Sequence, residues 1–150
     1  MTDKPHITNP MQAAVHEFLL THLGANERGW PNQTGRYNKF LLVREEYEEL
    51  TKALGYFRKL YTDSYDEQRF NEVETIDAIC DLLYVIFNLC EELELDIQPF
   101  FDEVHRSNMT KVPAALSPNR KIQKGPEYRP PRIAELQDSV RSEQAHDIGG

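Results

Sequence analysis

Acids at helical spacing are the residues best able to do chemistry in this chain. Glu45, Glu46 and Glu49 stand in REEYEEL, and Glu74, Asp77 and Asp81 begin a second series that continues through Tyr84 and Asn88. On a helix turning about 100° per residue, the first three span about 100° of arc and the second five about 80°. Each set is therefore one stripe. Carboxylates along an otherwise apolar helix are costly unless they protonate or meet cations, and no lysine or arginine stands between Arg69 and Arg106 to supply one locally. If the two helices lie antiparallel, the geometry a short connection favours, the stripes converge and a divalent metal is the natural counter-charge. An all-oxygen donor set suits magnesium or manganese, whereas zinc and iron sites usually recruit histidine or cysteine. Carboxylate-held magnesium binds phosphate oxygens and acidifies a bound water, so the expected chemistry is at the phosphates of a nucleotide.

The bland reading is that EEYEE is a solvated helix face and that Asp77 and Asp81 pair with Arg58 or Lys59 next door. Against it stands the combination: acids at matching spacing on two neighbouring helices, one of which, ETIDAICDLLYVIFNLCEEL, is otherwise apolar. A helix apolar almost all round is expected to be buried by its neighbours, which would turn the stripe toward an interior space.

The elements that must position these residues are helical. Asn9 before Pro10 predicts a cap and first helical residue, and Gly24 a stop, giving a helix over 10–23 with Met11, Val15, Phe18 and Leu19 inward. GANERGWPNQTGR predicts a loop; its lone Trp30 is more simply a packing residue than a base-stacking one. Tyr37, Phe40, Leu41, Tyr47, Leu50, Leu54 and Phe57 predict a second helix from about 34 to 61, with Gly55 weakening its end. TDSYDE supplies turn and capping residues for a third helix over about 67–93. Asp96 can cap a fourth through about Ser107, burying Ile97, Phe100, Phe101 and Val104. Five prolines then punctuate residues 113–132, where Arg120, Lys121, Lys124, Arg129 and Arg132 stand with the single acid Glu127. Beyond this extended basic segment, residues 133–150 are polar and suit a short helix that frays. With no repeat and no run of strands, the fold class is all-α. The organisation expected is a helical domain over 1–111, a basic proline-rich extension over 112–132 and a polar tail over 133–150.

A chain of 150 residues usually makes one domain. Its net charge of −8 argues against a protein that coats a nucleic-acid polymer. No apolar stretch is long enough to span a bilayer and no secretory signal is visible, so no membrane partner and a cytoplasmic location are expected. Cys80 and Cys90, roughly 15 Å apart along one helix, cannot pair and are expected to be buried thiols.

Glu45, Glu46 and Glu49 in EEYEE, then Glu74 and Asp77 in ETID, resemble the EExxE and ExxD pattern of the all-α nucleoside triphosphate pyrophosphohydrolases. That superfamily includes MazG, phosphoribosyl-ATP pyrophosphohydrolase and the MazG-like dUTPases. FDEVHRSNMTKV is similar to its NxxK segment, through Asn108 and Lys111, and KGPEYRPP to a tail of some stand-alone members. The likeness covers about residues 35–132. It implies hydrolysis between the α- and β-phosphates, releasing pyrophosphate, and a helical bundle completed by dimerisation, as a homodimer or homotetramer. It also implies that Glu45, Glu46, Glu49, Glu74 and Asp77 hold Mg2+ or Mn2+, and that Glu45 or Glu46 orients or deprotonates the attacking water. Asn108 and Lys111 would contact phosphate. Asp81, Tyr84 and Asn88 continue the stripe and are expected to line the sugar or base pocket. The basic tail either folds over the site, bringing Lys124 or Arg129 to the phosphates and Tyr128 to the base, or is a solvated extension; the first is the expectation.

The substrate expected is a nucleoside or deoxynucleoside triphosphate such as dGTP, dATP or dUTP. Phosphoribosyl-ATP is the rival within the same chemistry. A carboxylate-bridged di-iron bundle would need Glu-x-x-His on two helices, and the nearest match is a single Asp102-x-x-His105. A non-enzymatic helical module with an acidic docking face is the third alternative.

Overall fold

The computed structural model describes residues 7–23, 33–56, 60, 62 and 70–147. Their helices are α1 (Pro10–Leu23), α2 (Gln33–Ala53), α3 (Glu72–Glu92), α4 (Gln98–Asn108) and α5 (Ile133–Asp147), with a 3-10 turn at Ala114–Leu116. The only extended pairing among them is an isolated antiparallel bridge between Val112 and Gln123, so the class is all-α. No helix there is long and apolar enough to cross a membrane. The chain divides into two compact units, residues 1–96 and residues 97–150.

In the first unit, α1 starts where Asn9 and Pro10 predict. The Asn9 side chain accepts from the amides of Met11 and Gln12, each at 3.0 Å, satisfying donors that a helix N-terminus leaves open. α2 stops at Ala53, short of the expected 61. Tyr56 N donates to Thr51 O and Gly55 N to Lys52 O, with Gly55 at φ 76, a left-handed C-terminal cap open to glycine at little steric cost. Expected weakening at Gly55 is thus termination. α3 begins at Glu72, capped by Asn71, whose side chain accepts from Glu74 N, later than the expected start near 67; all of TDSYDE but Thr62 lies outside the described residues. Residues 24–32, with Gly24 and Trp30, and 57–59, with Phe57, lie outside the described residues.

α3 is the helix on which both α1 and α2 pack. Val15, Leu19, Ala53, Ala78, Phe87 and Cys90 form the buried apolar core of this unit. Met11 and Phe18, expected inward, are exposed. Their place in the seam is taken by a polar group: Gln12, only 1% exposed, donates to Glu91 Oε1 at 2.8 Å and to Leu95 O at 2.7 Å. His16 Nδ1 meets the other Glu91 oxygen at 2.5 Å, and Glu91 is itself 5% exposed. A buried carboxylate with both oxygens partnered is tolerable, whereas one left alone is not.

The expectation that α3 is buried all round does not hold within one chain. Val73, Ile76, Ile79, Leu83 and Ile86 are exposed, as are Tyr37, Phe40, Leu41 and Tyr47 of α2. Cys80 is exposed too, and only Cys90 is the buried thiol expected, its pKa raised first by burial and then by Glu91.

In the second unit, α4 starts at Gln98 after Ile97, with no side-chain cap and Pro99 in its first turn. Asp96, the expected cap, instead accepts from Thr8 Oγ1 at the edge of the first unit. Phe100 is buried as expected, but Phe101 and Val104 are exposed. The basic segment is folded against α4. Arg129 N donates to Thr110 Oγ1 at 2.8 Å, Arg132 N to Glu103 Oε1 at 2.8 Å and Arg106 Nη2 to Pro130 O at 3.2 Å. Arg106 grips both Glu103 oxygens, at 2.7 and 2.8 Å, and with the Arg132 amide it holds the Glu103 pKa down to about 2. That contribution is fully present above the ordinary carboxylate range and is lost progressively as pH falls from there through about 2. Gly125 lies so close to Val112 that a Cβ there would collide with its side chain.

Glu91→Ala removes the buried carboxylate that Gln12 and His16 share in the α1–α3 seam and is expected to cost about 3 kcal/mol, read as a lower urea midpoint with an unchanged m-value. A loss below about 0.5 kcal/mol, the range of ordinary surface changes, would show that this group does not dock α1.

Candidate active site

Pairing along α2 and α3 runs in opposite directions. Asn71 N donates to Ala53 O at 3.1 Å at one end, and Lys39 Nζ donates to Asn88 Oδ1 at 2.7 Å at the other. The two stripes therefore do face each other, as the antiparallel expectation requires. Between them opens a cleft of about 170 Å³ lined by Glu46, Glu49, Lys52, Ala53, Glu74, Asp77, Ala78 and Asp81. Ala53 and Ala78 are buried; their small side chains leave the space into which the longer acids project.

Of the expected metal ligands, Glu46, Glu49, Glu74 and Asp77 line this cleft, and Asp81 joins them. Glu45 is exposed on α2 and does not line it. Glu74, Asp77 and Asp81 are exposed as well, which corrects the interior setting expected for Asp77 and Asp81: within one chain the stripe borders a surface cleft. Glu46 is half-buried and its pKa lies above the ordinary carboxylate value, first because burial disfavours the anion and then because Asp81, Glu45, Glu49 and Asp77 repel it. Glu49 Oε1 accepts from Lys52 Nζ at 2.8 Å. As the side chains stand, no three histidine, cysteine or carboxylate groups among the described residues converge tightly enough to hold a metal ion. The donor set itself fits a hard divalent cation: every acid is an oxygen ligand, and neither histidine nor cysteine lines the cleft.

The rest of the stripe diverges from the cleft. Tyr84 packs edge-on against Phe18 of α1, ring centres 5.5 Å apart. Asn88 is half-buried and held by Lys39, whose ammonium also lies 3.8 Å from Glu92. Asn108, Lys111, Lys124, Tyr128 and Arg129 belong to the second unit. There Lys124 Nζ sits 5.0 Å from the centre of the Tyr128 ring, a cation–π distance. Ser107, buried at 2% exposure, has its hydroxyl 3.5 Å from that of Tyr128.

Sequence reasoning missed Lys52, although Glu49-x-x-Lys52 is a readable pair on one helix face. It also missed Asn71, although Asn71-x-x-Glu74 carries the capping-box spacing.

Two antiparallel acidic helices, EExxE facing ExxD across an open cleft in an all-helical chain, define the class: an all-α nucleotide pyrophosphohydrolase of the MazG-like superfamily. The sequence model of the phosphoribosyl-ATP pyrophosphohydrolase family matches residues 26–108, more than half of the chain, and the chain belongs to that family. A comparison with curated proteins found no match. Members of the family are divalent-metal-dependent pyrophosphohydrolases acting on a nucleotide, usually with magnesium.

A carboxylate whose folded pKa is raised favours the native state when protonated, and that favour is lost as pH rises through the raised value. Without metal, Glu46→Gln is therefore expected to melt above the wild type at neutral pH, with the gap closing as pH falls through the Glu46 pKa. Thermal scans across pH in a chelator decide it; a gap independent of pH would remove Glu46 from the repelling group.

Proposed function

We propose that the α2–α3 cleft hydrolyses a nucleoside or deoxynucleoside triphosphate to the monophosphate and pyrophosphate. The observation that carries this is the convergence of Glu46, Glu49, Glu74 and Asp77 on one cleft. Those four residues would hold Mg2+ or Mn2+, which when bound would neutralise the triphosphate and acidify water. Glu46, rather than the outward Glu45, takes the proton of the attacking water, because it borders the cleft. The water oxygen attacks the α-phosphorus in line, the bond to the bridging oxygen breaks, and pyrophosphate leaves.

Asp81, at the far end of the lined wall, faces the sugar or base. The second unit offers Asn108 and Lys111 as neutral and cationic phosphate donors, and Lys124, Tyr128 and Arg129 as a basic, aromatic group suited to a nucleotide. Tyr84 and Asn88, held by Phe18 and Lys39, act by supporting the wall. Phosphoribosyl-ATP is the second reading, favoured by the family match. The first draws on the resemblance of KGPEYRPP to a tail of some stand-alone members.

The exposed apolar faces of α2 and α3 form more than scattered surface residues, and such a surface marks an interaction site. We assign it to a second copy of the chain, in a dimer or a dimer of dimers. Light scattering on a size-exclusion column is expected to give a whole multiple of 17.5 kDa; a monomer at micromolar concentration rejects the assignment.

The reaction is tested with a panel of common NTPs and dNTPs plus phosphoribosyl-ATP, pyrophosphate and phosphate being quantified separately with Mg2+ and with Mn2+. Pyrophosphate release that requires metal and disappears in Glu49→Gln is the expected result. Turnover of phosphoribosyl-ATP alone would select the second reading, and release of inorganic phosphate only would reject cleavage between the α- and β-phosphates.

A further inference from the structure

Lys52 is the basic residue on the wall of the acidic cleft, and no other lysine or arginine among the described residues lines it. Its ammonium lies 2.8 Å from Glu49 Oε1, with side chains 43% and 55% exposed respectively. An exposed pair three residues apart on a helix contributes little to stability, so its position is more informative than its strength. The lysine stands where five acids border one space and, among the described residues that line it, is the positive side chain that offsets them. It also engages an acid of the EExxE stripe that lies one turn beyond Glu46.

We infer that Lys52 is the resident counter-ion of this site: it holds Glu49 while no metal is bound, yields that carboxylate to an entering divalent cation, and then donates to a phosphate oxygen of the ligand. The inference rests on the metal-site reading of the cleft. Three physical facts carry it. A divalent ion attracts a carboxylate more strongly than a single ammonium does, and an exposed ion pair is easily exchanged. The lysine side chain has a flexible four-carbon stem and three rotatable donors, so it can leave Glu49 and still reach across the same wall. Finally, an ammonium released beside a bound dication is repelled by it and attracted by phosphate oxygens, which metal at such a site also binds. A lysine in this role lowers the affinity of the free protein for metal and raises that of the metal-loaded protein for a phosphate chain.

The two effects have opposite signs, and a lysine that only decorates the helix surface would produce neither. Free Mn2+ is measured by electron paramagnetic resonance during titration of wild type and Lys52→Gln without nucleotide. Inorganic pyrophosphate is then titrated calorimetrically into each protein saturated with Mn2+. Lys52→Gln is expected to bind Mn2+ roughly two- to fivefold more tightly, as for an exposed ion pair, and pyrophosphate about tenfold or more weakly, as for a lost charge-assisted hydrogen bond. Lys52→Arg, which keeps the charge, should stay near the wild type for Mn2+. Metal affinity that is unchanged or weaker in Lys52→Gln, or pyrophosphate affinity that does not fall, overturns the handover while leaving the metal site intact. Wild-type protein that binds no Mn2+ would instead remove the metal site, and this inference with it.

Discussion

Like charges facing one another across a narrow space must be held there by something else, and in this protein that something is the α2–α3 hairpin. Burial of Ala53 and Ala78, the backbone bond from Asn71 to Ala53 and the Lys39 tie to Asn88 fix the two helices antiparallel. The acids between them share one cleft, and the Glu46 pKa is raised first by its burial there and then by repulsion from its neighbours.

Polar groups elsewhere do the opposite: they are satisfied within the protein. Glu91 is fully partnered by Gln12 and His16, and seats α1 against α3. Glu103 is gripped by Arg106 and by the Arg132 amide, and ties the proline-rich segment back to α4. The contrast separates structural acids from chemical ones: a carboxylate with two strong donors is spent on folding, while one repelled by its neighbours is available to a ligand. Glu49 lies between these classes, since its partner Lys52 is exposed.

The helices are largely legible in the chain because their signals are local. Asn9 and Pro10 cap α1 where expected, and the periodicity of α2 and the acidic spacing of α3 are true helical patterns. Ends are legible only where a specific residue acts on the backbone, as Gly55 and Asn71 do, and both were open to a stricter reading of turn and capping chemistry. Burial was the least legible. Met11, Phe18, Phe101 and Val104 have inward periodicity yet are exposed, whereas Gln12 is buried, because hydrophobicity alone does not say which face has a neighbour.

By itself, the sequence determined the all-α class, the two acidic stripes and the oxygen-only donor set, since helical periodicity and ligand chemistry are properties of residue type and spacing. Tertiary structure decided which acids meet. It brought Glu46, Glu49, Glu74, Asp77 and Asp81 to one cleft, left Glu45 outside, turned Tyr84 to Phe18 and Asn88 to Lys39, and set Lys52 among the acids. An arc on a helical wheel fixes a direction relative to one axis only; the rotation and register of the facing helix, set by packing, choose which part of that arc looks into the cleft.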